Sequence, residues 1–232
     1  MAIRYGKSLY KSNDVYKVHH YKNRGEWLKA RSELHGIGGS DASTTMSMNK
    51  WRTNLELWQI KTGRATAPNI SDKPYVKYGQ NAEEYIRRLF QLKFKDKYEI
   101  QYQDDTILQN VKCPWMLYSP DGLIVEKDTG RKGIFECKTT TIVRSYDKEK
   151  WNKHVPDNYY IQVLHGLNVT GFDFVDLYAE LTFDDDYSQL RRYHIERDDV
   201  LDDLMAVSSS VTTFWKEYVE TDKEPPLIIQ GL

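Results

Sequence analysis

Residues 119–125, S-P-D-G-L-I-V, and residues 133–139, G-I-F-E-C-K-T, are two segments separated by a short polar turn, and their reading decides the fold. Successive side chains of a strand point to opposite faces, so Ile134, Glu136 and Lys138 fall on one face and Phe135, Cys137 and Thr139 on the other. Asp121 to Glu126 reads as the preceding strand, and K-D-T-G-R-K as a loop in which Gly130 supplies the turn. Hairpin pairing then carries Asp121 close to Glu136. Two carboxylates meet beside one lysine.

Hard divalent cations take oxygen ligands, and Mg²⁺ accepts one or two carboxylates while water and phosphate oxygens fill its other positions. A cation held by Asp121 and Glu136 polarises a scissile phosphate and lowers the pKa of a bound water, while Lys138 orients that water or stabilises the pentacovalent charge. The competing reading is a surface hairpin of alternating charge. Glu136-Cys137-Lys138 is the one acid-x-Lys triplet in the chain, and its flanks are apolar, unlike a solvated charge run.

Pro120-Asp121 and Glu136-Cys137-Lys138 resemble the two halves of the PD-(D/E)xK nuclease motif. Three other segments narrow the resemblance: W-L-K-A-R-S-E-L-H-G-I-G-G-S-D-A-S at 27–43, Y-G-Q-N-A-E-E-Y-I at 78–86 and Y-Y-I-Q-V-L-H-G-L-N-V-T-G at 159–171. In that order they resemble the entry motif, the Gly-x-x-x-Glu helix and the Gln-bearing helix of the YqaJ-like viral recombinase family, to which phage lambda exonuclease is related. The resemblance implies an α/β, restriction-endonuclease-like core with a small mixed, twisted β-sheet flanked by helices. It also implies a metal site of Glu83, Asp121, Glu136 and the Cys137 backbone carbonyl, holding one or two Mg²⁺ ions, with Mn²⁺ also serving. Glu84 competes with Glu83 for the helical position. Gln162 matches the family's glutamine beside the active site; His165 shares its helical face and reads as a partly buried histidine satisfied by hydrogen bonds, with no catalytic role assigned to it.

An Arg guanidinium binds phosphate in a bidentate way, and glycines before a capped helix present free N–H groups to an anion. Ser40 reads as the N-cap of a short helix through Met46. Arg31 and Ser40 together would recognise a terminal phosphate. By resemblance to lambda exonuclease they match a DNA 5′-phosphate pocket, with two residues more between them.

At 232 residues the chain suits one nuclease domain, with residues 1–25 as an arm, 26–219 as core and 220–232 as tail. No apolar run approaches membrane-spanning length and M-A-I-R-Y-G-K-S lacks a signal peptide's apolar stretch, so the expected location is cytoplasmic. Two cysteines, Cys113 and Cys137, cannot make a four-cysteine zinc or iron–sulfur site. The net charge of −1 hides a division: residues 1–100 hold 19 Lys+Arg against 10 Asp+Glu, and the rest hold 14 against 24. A basic N-terminal half facing phosphates, with Asp184-Asp185-Asp186 and Asp198-Asp199 turned away, fits a one-sided electrostatic footprint.

Along the chain, 26–34 reads as a helix, T-N-L-E at 53–56 as a capping box closed by Gly63, and 78–95 as a long helix with Ala82, Ile86, Leu89, Phe90 and Lys93 on one face. Strands follow at 98–103, 106–109, 115–118, 121–126 and 133–140. A helix at 156–169, strands at 174–182 and 190–196 and a helix from Asp198 to Val219 complete an α/β order. The resulting expectation is a metal-dependent 5′-to-3′ exonuclease on double-stranded DNA ends, of phage or prophage origin. Its 3′ overhangs would pass to a single-strand annealing protein. An endonuclease of the same superfamily and a non-catalytic DNA-end-binding accessory protein are the alternatives. The resemblance further implies a homotrimeric ring.

Overall fold

Strands buried on both faces carry consecutive apolar residues, as 133–137 and 174–179 do where both faces of the chain are buried, with only Glu136 and Asp176 polar among them. A computed structural model describes residues 8–183 and 187–228. Its elements are β1 (Tyr16–His20), α1 (Arg24–Glu33), α2 (Gly39–Thr45), α3 (Asn54–Lys61), α4 (Pro74–Lys93), β2 (Tyr98–Gln101), β3 (Thr106–Asn110), β4 (Leu117–Tyr118), β5 (Gly122–Glu126) and β6 (Lys132–Thr141). There follow α5 (Ser145–Lys153), α6 (Asp157–Thr170), β7 (Phe174–Phe183), β8 (Tyr187–Glu196), a 3₁₀ turn (Arg197–Val200), α7 (Leu201–Thr213) and a π-helical turn (Phe214–Val219). Among the described residues no helix is long and apolar enough to cross a membrane.

Five strands form one sheet in the order β2-β5-β6-β7-β8, and three more form a small sheet in the order β1-β3-β4. β6 and β7 are parallel, from Gly133 opposite Phe174 to Thr141 opposite Thr182, while the other pairs are antiparallel. α5 and α6 make the crossover that a parallel pair needs. Alternation sorts the sheet's faces. Phe135, Cys137, Phe174 and Tyr178 pack with Ile86 and Phe90 of α4, while Ile134, Val175, Leu177 and Ala179 join the larger core with Ile161 and Leu164 of α6 and Val207 of α7. Cys137 thus lies on the face away from Glu136 and Lys138, as the strand period requires.

The expected α/β core with a mixed sheet between helices is the observed one, and the capping box at Thr53 and Glu56 is present. Four expectations change. The expected arm at 1–25 is not simply an arm over its described part, residues 8–25, because β1 pairs with β3 and Leu9, Tyr10 and Tyr16 are buried; the Y-K-V-H-H strand is too short and polar to show a period. Ser40 is not the N-cap of α2: Gly38 is, in extended backbone, and Ser40 lies in the first turn. The long helix begins at Pro74, whose fixed φ suits the first helical position. Leu89 lies outside the buried stripe at 47% exposure, whereas Ile86 and Phe90 are buried. α5 has no signal in the sequence because, among its described side chains, only Trp151 is buried, which leaves no periodic face. Residues 1–7, Asp184-Asp185-Asp186 and the last four tail residues lie outside the described residues.

Candidate active site

The β5–β6 hairpin pairs Gly122 with Phe135 and Leu123 with Ile134, so the same register continued by one residue sets Asp121 opposite Glu136. Gly130 makes the turn at φ +72°, a left-handed conformation that glycine adopts without steric cost. Glu136 is buried, and both of its oxygens are hydrogen-bonded. Tyr118 Oη donates to Oε2 at 2.5 Å, while Lys138 Nζ and Gln162 Nε2 both donate to Oε1 at 2.6 Å. Asp121 Oδ2 accepts from the Cys137 backbone N–H at 2.8 Å. Two strands and α6 therefore bring Asp121, Glu136, Lys138 and Gln162 together.

Glu83 reaches the same place from α4, and Glu84 does not. Glu83 lines the cleft with Asp121, Lys138 and Gln162, whereas Glu84 pairs with Arg88 at 2.6 Å on the outer face. Burial, then the Glu136 and Glu83 charges, push the Asp121 carboxyl well above the usual carboxylate range. Burial also raises Glu83, against the pull of Lys138 and with the push of Glu136. Burial by itself would lower Lys138, but the Glu136 and Asp121 carboxylates outweigh it and hold the ammonium form. One lysine faces three carboxylates, an excess of negative charge that a divalent cation would neutralise.

Among the described residues no three acid, His or Cys side chains already stand as a metal-ligand group. Glu136 Oε1 accepts from Lys138 and Gln162, and Asp121 Oδ2 from the Cys137 N–H, which leaves each carboxylate further lone pairs. The donor set fits Mg²⁺ in hardness and charge, since that ion binds through few carboxylates and keeps several waters.

Arg31 and Ser40 also meet, Nη2 to Oγ at 3.1 Å, and both line the same cleft of about 280 Å³ as the carboxylates. Next to Ser40, half-buried Asp41 pairs with Arg52 at 2.9 Å and Lys61 at 2.8 Å. Burial would raise Asp41, but Lys61, Arg31 and Arg52 outweigh it and bring its carboxyl down to about 2. Asp198 and Asp199 do not line the cleft.

Two residues with a part in the site were missed in the sequence. Tyr118 sits in an M-L-Y run that reads as core, and it is fully buried, yet its hydroxyl fixes Glu136. Arg87 reads as an ordinary i,i+4 partner of Glu83, but its Nη1 donates to the Asp121 carbonyl at 3.0 Å while its guanidinium lies 3.4 Å over Tyr102. Arg87 thereby ties the Glu83 helix to the Asp121 turn. Apart from their residue types, neither carried a signal.

His165 is structural. It is fully buried, and Nε2 contacts the Ile37 and Leu117 carbonyls, each at 3.1 Å. Burial lowers its pKa to about 4. The folded chain thus refuses a proton that the unfolded chain accepts below about 6.5, so stability should be full above that pH and fall towards pH 4, by up to about 3 kcal/mol. Urea midpoints between pH 4 and 7 check this: His165→Gln should flatten the slope, and an unchanged slope would assign the acid loss to other groups.

A family model described as the YqaJ-like viral recombinase domain matches residues 26–173. The chain is 32% identical over 207 residues to "Uncharacterized protein YqaJ" of Bacillus subtilis (strain 168), covering 88% of this chain and 59% of that relative. It thus spans less than two thirds of the relative's length. Among solved structures it is similar to the alkaline exonuclease LHK-Exo of Laribacter hongkongensis, with 21% identity, a TM-score of 0.62, and coverage of 86% of this chain and 94% of that one. A phage-related exonuclease from Haemophilus somnus 129PT shares 12% identity at a TM-score of 0.50, over 81% of this chain and 96% of that one. These structures share the fold.

Proposed function

The chain belongs to the YqaJ-like viral recombinase family of the PD-(D/E)xK nuclease superfamily, and from that premise we propose that it is a metal-dependent exonuclease that degrades double-stranded DNA ends from 5′ to 3′. The observation that carries this reading is the joining of two chemistries in one cleft, the carboxylate–lysine cluster and the Arg31–Ser40 pair. Glu83, Asp121 and Glu136, with the Cys137 carbonyl by family resemblance, are the groups that would hold Mg²⁺ or Mn²⁺, as one or two ions. When bound, such a cation supplies Lewis acidity at the phosphate and a more acidic water.

The chain's own residues do the rest. Arg31 and Ser40 grip the 5′-terminal phosphate through charge-assisted hydrogen bonds, which sets the first phosphodiester over the carboxylates. Lys138, held as an ammonium, orients the attacking water and balances the charge that grows on the phosphate. Gln162 and Tyr118 keep Glu136 fixed, so little reorganisation is needed during the reaction. Hydrolysis releases a mononucleotide and leaves a 3′ overhang for a single-strand annealing protein, in keeping with a phage or prophage recombination pair.

Digestion of a linear duplex and a covalently closed circle, each with Mg²⁺ and with chelator, tests the reading. Linear DNA should shorten only with the metal, and circles should survive; discrete cuts in circles would assign an endonuclease instead. A 5′-phosphorylated duplex should be degraded about 10-fold faster than a 5′-hydroxyl one, one charge-assisted contact's worth. Arg31→Ala should erase most of that preference.

A further inference from the structure

We infer that Arg24 is a further phosphate ligand of the cleft, gripping the first internucleotide phosphate of a DNA end, the one that the Arg31–Ser40 pair sets over the carboxylates; this rests on the exonuclease reading above. Arg24 opens α1, two residues before the family-matched segment begins at 26. A cation in the first turn of a helix faces the positive end of the macrodipole and is disfavoured there, so the helix gives no reason for it. Its guanidinium instead lies 3.9 Å over the ring of Trp27, and Arg31 lies 5.1 Å over the same ring. Trp27 is buried, which makes the ring a fixed platform.

Arg24, Trp27 and Arg31 stand at i, i+3 and i+7, on one face of α1, and all three line the cleft. The Arg24 charge acts on both ends of that cleft, on Arg31 and on Glu83. The neighbouring cations are committed elsewhere: Arg52 and Lys61 to Asp41, and Arg87 to the Asp121 carbonyl. Arg24 is exposed, and among the described residues it has no ion pair with a carboxylate. A guanidinium stacked by its face keeps its edge N–H groups free, and that edge matches two oxygens of a phosphodiester. With the terminal phosphate on Arg31 and Ser40, the next phosphate along the strand is the one that comes within its reach. The plain alternative, an arginine that merely shields Trp27, would show no dependence on any one phosphate.

Neutralising that phosphate separates the two. The full chain and its Arg24→Gln variant, matched for melting temperature, are titrated in chelator with a 5′-phosphorylated duplex whose first linkage is either native or a methylphosphonate. The wild type should bind the neutral linkage about 10-fold more weakly, while Arg24→Gln should lose most of that difference. The salt dependence of the variant's affinity should shallow by about one phosphate's share. Arg24→Lys should recover part of the difference, because a point charge lacks the fork. Equal penalties for the neutral linkage in wild type and Arg24→Gln would overturn the inference. Shortening of linear DNA by the wild type in Mg²⁺ is followed alongside: its failure removes the exonuclease reading, whereas a cutting wild type without the coupling removes only the role of Arg24.

Discussion

Asp121→Ala, Glu136→Ala and Lys138→Ala should each lower DNA hydrolysis by about 10²-fold or more, which corresponds to roughly 3 kcal/mol of lost transition-state stabilisation. Each substitution removes either a carboxylate that would hold the cation or the one ammonium that balances the cluster. Binding of DNA ends, which the proposed function assigns to Arg31 and Ser40 at the other part of the cleft, should largely survive. Glu83→Ala belongs with these three and Glu84→Ala does not, since Glu84 is spent on Arg88 at the surface. Single-turnover rates on one linear duplex decide the matter. Near-normal turnover by the Glu136 or Lys138 variant would sink the active-site assignment.

Gly166→Ala should lower stability by about 1–3 kcal/mol through overpacking and depress cutting as well. A Cβ at Gly166 would stand 2.6 Å from the Tyr118 ring, and one at Gly39 would stand 3.0 Å from the same ring. Tyr118 is therefore clamped between α2 and α6, with its hydroxyl on Glu136. Moving the ring moves the hydrogen bond. A urea midpoint gives the stability loss, and Tyr118→Phe supplies the control: it keeps the packing, so it should lower cutting with a much smaller loss of stability. An unaltered midpoint in Gly166→Ala would show that the ring has room to move and does not fix Glu136.

What was legible in the sequence follows from how each signal is encoded. The Glu136–Lys138 face was readable because the strand period is strict, and Asp121 followed because a short turn leaves one hairpin register. The choice of Glu83 over Glu84 needed more, since both stand on a helix facing arginines four residues on. Packing decided it: Ile86 and Phe90 turn the Glu83 side of α4 toward the sheet. Tyr118, Arg87 and Arg24 were hidden for a different reason. Their partners lie 18, 34 and 3 residues away, and a tyrosine in an apolar run or an arginine on a helix carries no mark of what it will touch. The strand at Tyr16–His20 escaped because its hydrogen bonds go to β3, some ninety residues on.

The most direct test of the central claim is the order in which labels leave one linear duplex. A single blunt DNA, phosphorylated at both 5′ ends, carries one label on a 5′-terminal nucleotide and a distinguishable label on the 3′-terminal nucleotide of the same strand, and is digested in Mg²⁺. The 5′ label should appear at once as a mononucleotide, while the 3′ label stays in long single-stranded product and is released late. Release of the 3′ label first, or of both labels in oligonucleotides cut from the interior, would contradict a cleft that grips the 5′ phosphate and hydrolyses the bond beside it.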